Sequence, residues 1–437
     1  MNTAGKDTDK VSKHSAFNKI YFNLSLFQFL SFVRRGVFYT FMINYLFSLM
    51  GTVTYTALLG TLNMIGSSLG QNLLWGRIAD RYKLRTKLIV AGESIAALSY
   101  FIVFQVYKSR ISVQSPFTAG LSLIVGLSVL EFFWSMSDVG WASLLADVTT
   151  QKTRGRLVGA LNFIASIGRT VGITFSGILY AGGLGFSQGT IFYIVIAMLC
   201  TSAALMFVTL KTAKTPQIKV EEQPKNKTKP QYGKPNNQVY KWFLISIAVV
   251  VIGVTCVNQV FLLFLKLGTG LNATDVDESL ILNAWTIGGA LTCLTCGWLA
   301  DRIGRVKVLL VGFIIACATP ALYGSASNIT LIALVYGFNG VAFWSLQTVG
   351  FAFAGDIIPE HQRGRMFSLY NAVMALSWGP AGLLIGGPLS DLQTERLGIS
   401  PYNAYLNAFY VSAIIVAAGT ILFILKVVPA RKSSQSL

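Results

Sequence analysis

Charge is scarce in this chain. Asp, Glu, Lys and Arg make up 12% of its 437 residues, against about 25% in soluble domains, and 53% of residues are hydrophobic. That balance excludes a soluble protein of two or three domains. Histidine occurs only twice, at His14 and His361 in polar segments, so a histidine proton relay is excluded. All five cysteines fall in apolar stretches, which excludes a disulfide framework. Cys293 and Cys296 form a lone Cys-x-x-Cys, which without further ligands reads as helix packing rather than a metal or redox site. No phosphate-binding glycine loop, metal-ligand cluster or Ser-His-Asp pattern appears, so no cofactor is expected and neither an enzyme nor an ATP-driven pump is indicated.

What the chain has in abundance is apolar sequence in blocks of about twenty residues, the length a helix needs to cross about 30 Å of hydrocarbon. Membrane barrels would instead alternate weakly in runs of about ten. Twelve blocks lie near residues 22–48, 54–76, 87–107, 118–145, 157–181, 190–210, 242–265, 278–299, 308–324, 329–354, 366–389 and 403–425. They predict an all-α membrane protein with twelve transmembrane helices. The polar first twenty residues and the long first block do not read as a cleavable signal, so the first helix is expected to stay. With the N-terminus inside, only Lys108, Arg110, Lys266 and Arg396 of the 35 Lys and Arg stand in outer loops, and Arg34, Arg35 and Arg169 lie within spans. The other 28 are cytoplasmic, which predicts a multi-pass protein of the cytoplasmic membrane with both termini inside. This spread over seven segments also accounts for the net charge of +18 without nucleic acid as a partner.

Residues 211–241, rich in Lys, Pro and Asn, cannot bury enough to order themselves. They read as a cytoplasmic linker between an N-terminal six-helix bundle at 1–210 and a C-terminal one at 242–437. The two halves repeat each other. "GRIADRYKLRTKL" at 76–88 returns as "GWLADRIGRVKVL" at 297–309, and "FWSMSDVGWA" at 133–142 as "FWSLQTVGFA" at 343–352. Asp147 precedes Arg154, Gly155 and Arg156 as Asp356 precedes Arg363, Gly364 and Arg365, and Asn162 corresponds to Asn371. Four matches in one order make the halves structural repeats.

With twelve spans and a basic central loop, the chain resembles the major facilitator superfamily. That family's signature, Gly-x-Leu-Ala-Asp-Arg-x-Gly-Arg-Lys, stands between the second and third spans and again between the eighth and ninth. Gly297, Leu299, Ala300, Asp301, Arg302, Gly304 and Arg305 match in the second copy, and Gly76, Ala79, Asp80 and Arg81 in the first. Lys83 and Leu84 depart from it. The resemblance implies two six-helix halves related by pseudo-two-fold symmetry that rock about a central site, the arrangement with which this family illustrates parallel repeats. Each half would then need its own latch at the cytoplasmic side. Asp80 and Asp301 are expected to form it, with Gly76 and Gly297 allowing helices to approach closely. Arg81, Arg85, Arg302 and Arg305 would pair with nearby acids or membrane lipid, while Asp147 with Arg154 and Asp356 with Arg363 brace the next loop.

The fifth span adds a glycine pattern. Gly159, Gly168, Gly172 and Gly177 fit the one carried there by drug-exporting branches of the family, but Ile173 and Ser176 replace its proline and one closing glycine. Ordinary helix packing explains them as well. In the eleventh span, "GPAGLLIGGP" at 379–388 must kink or end the helix. Asn272 to Thr274 and Asn328 to Thr330 are glycosylation sequons in outer loops.

Ionisable residues at membrane depth are the most informative. Each costs roughly 2.5–3.5 kcal/mol at a helix centre, so Arg34, Arg35, Glu131, Asp138 and Arg169 must pair or face water. A rise of about 1.5 Å per residue places Asp138 roughly 12 Å deep, Arg169 about 18 Å, and Arg34 and Glu131 about 21 Å, so contact among them is expected. Glu131 and Asp138 share a helix face with Trp134. Their counterparts in the second half are Val341 and Thr348, so the repeat does not require them. Glu131, Asp138, Arg169 and Arg34 are therefore the expected proton and solute coupling residues, with a static ion pair as the plainer alternative. Glu93 reads as structural, because the resemblance puts its helix at the periphery. Trp134, Asn258, Gln259, Asn339, Gln347 and Asn371 are candidates to line the cavity, each also suited to hold helices together.

The expected function is secondary active transport of a small solute, proton-coupled on the ground that acids stand at depth, by one chain acting as a monomer. A small polar or anionic metabolite is slightly preferred because of the arginines. Proton-driven efflux of amphipathic compounds is the alternative, favoured by the glycines and aromatics, and a membrane sensor on the same scaffold is a remote one.

Overall fold

The computed structural model describes residues 4–82, 85–113, 115–148, 151–212, 237–358 and 363–429. Every regular element among them is helical: α1 (Ala4–Tyr39), α2 (Met42–Met50), α3 (Val53–Leu69), α4 (Gly76–Tyr82), α5 (Arg85–Val113), α6 (Pro116–Val148), α7 (Gln151–Tyr180), α8 (Leu184–Ser187), α9 (Thr190–Thr212), α10 (Asn237–Thr255), α11 (Asn258–Lys266), α12 (Asp275–Ile303), α13 (Arg305–Leu322), α14 (Ile329–Ile357), α15 (Arg363–Trp378), α16 (Gly387–Asp391) and α17 (Pro401–Leu422), with short π-helical and 3₁₀ turns between some of them. Among the described residues nine helical stretches are long and apolar enough to cross a membrane, and a bent pair within α12 makes a tenth. The first two expected spans are helical but interrupted. The block at 22–48 breaks at Thr40 and Phe41 into α1 and α2, and the block at 54–76 passes through a π-helical turn at Gly70–Trp75 before α4. The outward faces are apolar, with Ile178, Leu384 and Ile414 each about two-thirds exposed (65%, 70% and 66%). Water would not tolerate so much of this surface, whereas lipid does; the chain is a multi-pass membrane protein.

The residues group into two compact units, Met1–Thr40 with Asn63–Lys225, and Phe41–Leu62 with Asn226–Leu437. In the first, α5 packs along α6 and α9, and α1 along α7 and α9. Phe38 lies edge-on to Tyr100, Phe186 and Phe192. Close approach is what the glycines of α7 provide. A Cβ at Gly172 would stand 2.2 Å from the Val33 carbonyl oxygen, one at Gly168 2.6 Å from that of Phe29, and one at Gly36 2.8 Å from that of Arg169. Helix packing thus accounts for two of the four glycines of the export-like pattern. Gly159 meets nothing within 4 Å.

In the second unit, α12 packs on α14, α13 on α14 and α17, and α10 on α17 and α15. Val239, Phe243, Ile247, Val250 and Val254 put one stripe of α10 into its core, following the helical repeat. The hydroxyl-bearing and amide residues at the loop ends act as helix caps. Thr274 accepts from the Asp277 N–H while Asp277 returns the bond, and Asn328 accepts from the Leu331 N–H. Both sequon segments therefore have a folding role.

The stretch from Phe41 to Leu62 is held in this second unit by polar bonds. Asn44 donates to both carboxylate oxygens of the fully buried Glu278 at 2.8 Å. The Asp391 carboxylate accepts from the Val53 and Thr54 N–H groups at 2.9 and 2.8 Å, capping α3 from a distant part of the chain and satisfying donors a helix start leaves open. Lys266, expected in an outer loop, closes α11 and pairs with Asp275 and with Glu278. Gly51 (φ +75°) supplies the left-handed turn that ends α2. Cys293 and Cys296 face Thr348 and Ser345 of α14.

Candidate functional site

The polar centre of the first unit is built where α1, α5 and α6 contribute charges. On α5, Gly92 permits close approach, since a Cβ there would lie 2.8 Å from the Ser137 nitrogen of α6. The next residue, Glu93, thereby reaches across to α6. Its Oε1 accepts from Trp134 Nε1 and Ser137 Oγ, both at 2.9 Å, and its Oε2 from Arg34 Nη1 at 3.0 Å. Glu93 is 1% exposed, and three donors compensate the buried carboxylate. Arg34 and Arg35 follow each other on α1 and so diverge by about 100° around the helix axis. Arg35 turns to Asp138, donating to its Oδ1 at 3.3 Å. Trp134 sits beside both guanidinium groups, 4.2 Å from Arg34 and 4.3 Å from Arg35, within cation–π range. Glu131, two turns above Asp138 on the same face, accepts from the Tyr39 hydroxyl at 3.5 Å.

The two ion pairs differ in access. The Arg34 and Glu93 side chains are 4% and 1% exposed, those of Arg35 and Asp138 37% and 41%. The open pair lies on a cavity of about 190 Å³. From α1 it is lined by Phe27, Gln28, Ser31, Phe32 and Arg35, and from α5 and α6 by Glu93, Trp134, Ser137, Asp138 and Trp141.

Several expectations change here. Arg34 pairs with Glu93, and Glu93, although buried in a structural pair, is the hub of the cluster rather than a peripheral residue. Depth had allowed contact among Arg34, Glu131, Asp138 and Arg169, but the direction in which each side chain leaves its helix decides the partner. Arg169 is half-buried on α7, and its backbone carbonyl packs against Gly36. Of the expected cavity residues, only Trp134 lines this cavity. Asn339 links helices, accepting from Trp285 Nε1 and donating to Thr319 Oγ1, each at 3.2 Å. Gln259 is wedged between Gly60 and Gly382, Asn258 and Gln347 are half-buried, and Asn371 is exposed. The signal that could have found Glu93 was its charge at span depth, beside a glycine.

A sequence profile described as Major Facilitator Superfamily matches residues 24–276 and 243–437. The chain belongs to the major facilitator superfamily. It is similar to an uncharacterized MFS-type transporter of Mycobacterium tuberculosis, 28% identical over 123 residues, which are 28% of this chain and 18% of the relative. Multidrug resistance protein MdtL of Salmonella heidelberg is 23% identical over 197 residues, 45% of this chain and 48% of that one. The galactose-proton symporter of Escherichia coli K12 is 24% identical over 146 residues, 33% and 30% of the two chains. The matches thus span less than half the length of these curated relatives. The nucleoside transporter NupG shares the fold, with a TM-score of 0.68 at 17% identity over 92% of this chain and 99% of NupG.

The superfamily signature loops can be placed in part. In the second copy Asp301 and Arg302 are exposed, and Arg302 lies over the Trp298 ring at 4.1 Å. Arg305 pairs with Asp356 and also donates to the Ala352 carbonyl, so a described partner of Asp356 is Arg305 of the signature loop. A Cβ at Gly297 would meet nothing within 4 Å, and one at Gly76 only the Gln71 carbonyl of its own helical stretch. Among the described residues no neighbouring helix lies against either glycine. In the first copy Arg81 lies 5.5 Å from the Tyr82 ring. The side chains of Asp80, Arg85, Asp147, Arg154 and Arg363 lie outside the described residues.

Proposed function

We propose that the protein is a proton-coupled secondary transporter that moves a small polar or anionic solute across the cytoplasmic membrane by alternating access, acting as a single chain. The observation that carries this reading is the half-open Arg35–Asp138 pair on the cavity, next to a sealed Arg34–Glu93 pair. A sealed pair orients helices. An open one can exchange its partner for a proton and a solute, and an acid whose distance from an arginine changes between two states takes up a proton in one and releases it in the other. Asp138 is the coupling acid closest to the solute, and Glu131 the second proton site above it. The relative named a galactose-proton symporter is in keeping with proton coupling.

Efflux of amphipathic compounds is the second reading, favoured by the aromatic walls and by the likeness to MdtL. Size argues against it. Drug-sized ligands occupy pockets of about 300–1,000 Å³, more than the 190 Å³ here. Asp80 and Asp301 serve in this proposal as the two cytoplasmic latches, and Arg81, Arg85, Arg302 and Arg305 as their partners or as contacts to lipid phosphate.

Coupling is tested in proteoliposomes with an imposed pH gradient, screening uptake and efflux of candidate solutes. Asp138→Asn and Glu131→Gln keep shape and mimic the protonated forms. Each is expected to lower gradient-driven accumulation at least about tenfold, the scale of losing ~1.4 kcal/mol of coupling, while sparing solute exchange. Full accumulation by both variants would return these acids to a static role. Orientation is tested with single cysteines in intact cells. Cysteines at Lys225 and Gln435 should be shielded from an impermeant thiol reagent and one at Thr269 should react; labelling of position 225 from outside would overturn the topology.

A further inference from the structure

Resting on the reading of this cavity as the solute site, we infer that its solute is a single-ring aromatic monocarboxylate, bound through Arg35 together with one proton on Asp138. Three independent features of the cavity converge on that class. The first is a row of polar groups. Gln28, Ser31 and Arg35 recur at i, i+3 and i+7, hence on one face of α1. Gln28 and Ser31 are 8% and 7% exposed, and the buried Ser31 Oγ and Arg35 Nε have no hydrogen-bond partner among the described residues. Buried donors left open in this way are costly unless something fills them. Arg35, whose side chain is 37% exposed on the cavity, offers a planar guanidinium suited to a carboxylate, with Ser31 one turn below.

The second feature is the walls. Phe27 and Trp141 face each other with ring centroids 5.0 Å apart, and Phe32 and Trp134 both lie against the Arg35 guanidinium. A cavity of about 150 Å³ is known to take a benzene ring, so 190 Å³ has room for one ring with a small substituent. Acetate would leave the aromatic space empty, and a neutral ring would leave the Arg35 guanidinium unused.

The third is charge. The groups facing Asp138 are Arg35 and Arg34 from α1, Glu93 from α5 and Glu131 on its own helix, and among the described residues no ion pair joins it to α4. Arg34 and Arg35 face three acids, Glu93, Asp138 and Glu131, so with Glu131 carrying its proton the pairs Arg34–Glu93 and Arg35–Asp138 balance one to one. When Asp138 takes a proton as well, Arg35 loses its ion-pair partner, and a solute carboxylate restores the balance. An organic cation would instead compete with Arg35 for Asp138 and add charge to a site already balanced.

The test uses purified full-length protein and titrates benzoate, benzamide, benzylamine, acetate and glucose against intrinsic tryptophan fluorescence, which Trp134 and Trp141 report. A ring carboxylic acid ionises near the carboxyl range of about 4, so benzoate is an anion throughout pH 6–8. Benzoate is expected to bind at least tenfold tighter than benzamide or benzylamine. Arg35→Gln should abolish that preference. Binding should tighten about tenfold from pH 8 to pH 6, and Asp138→Asn should bind tightly at both and remove the dependence. Ser31→Trp, which fills the cavity, should not respond. Equal binding of benzoate and benzamide, or preference for benzylamine, overturns the assigned class. If glucose or benzylamine responds in the parent and not in Ser31→Trp, the class falls while the cavity stands as the solute site. If no probe distinguishes the parent from Ser31→Trp, both fall.

Discussion

Glu93→Ala is expected to be among the most destabilising single substitutions in the chain. Removing one member of a buried ion pair costs about 3–5 kcal/mol, because the remaining charge is left without compensation. Here the loss strands Arg34, 3% exposed, and also the Trp134 Nε1 and Ser137 Oγ donors that share the carboxylate. For a unit of roughly 200 residues, each kcal/mol moves the unfolding midpoint by about 2–4 °C, so a fall of roughly 6–20 °C is expected in detergent. The partner effect is diagnostic. Arg34→Met combined with Glu93→Ala should regain part of the loss, since the orphaned cation is gone. A single Glu93→Ala variant that unfolds within a degree or two of the parent would show that the cluster is wet and that Glu93 is not its hub.

The second large effect is expected at Gly172. Its Cβ would fall 2.2 Å from the Val33 carbonyl oxygen and 3.0 Å from the Gly36 Cα. Both obstacles are backbone, so no side chain can rotate away, and α1 and α7 must separate. Overpacking alone costs about 1–3 kcal/mol, and here it also pulls α1 from the place that sets Arg34 and Arg35. Gly172→Val should leave little monodisperse protein by size-exclusion chromatography. Gly159→Ala, in the same glycine pattern and with nothing within 4 Å, should behave as the parent and gain slightly in helix propensity. Equal tolerance at both positions would show that the pattern serves something other than the α1–α7 contact.

The contrast between those glycines illustrates how far the sequence could be read. A glycine at helical spacing is visible in the letters, but whether it faces a neighbouring backbone or open space is not. The same holds for the charges. Depth along a span follows from residue count, and it placed Arg34, Glu131, Asp138 and Arg169 at comparable levels. Azimuth does not follow from it. Adjacent arginines on α1 address different helices, and the one that points toward α5 finds Glu93, whose helix the family likeness had put aside. In the same way Asp356 finds Arg305, which arrives from a loop some fifty residues earlier in the chain.

By itself the sequence determined the membrane class, the helical blocks, the repeated halves and the superfamily, because lipid admits few solutions: every span must satisfy its own backbone, and about twenty apolar residues do so only as a helix. It also determined that a few charges at depth would need partners. Only the tertiary structure decided which partners those are, that one pair is sealed and the other opens on a cavity, and that Phe41–Leu62 is tied to the second unit through Asn44, Glu278 and Asp391. The reason is physical. Hydrophobicity and length act residue by residue along one chain, whereas pairing depends on the rotation and approach of several helices at once, and glycine contacts such as that of Gly92 with Ser137 set those angles.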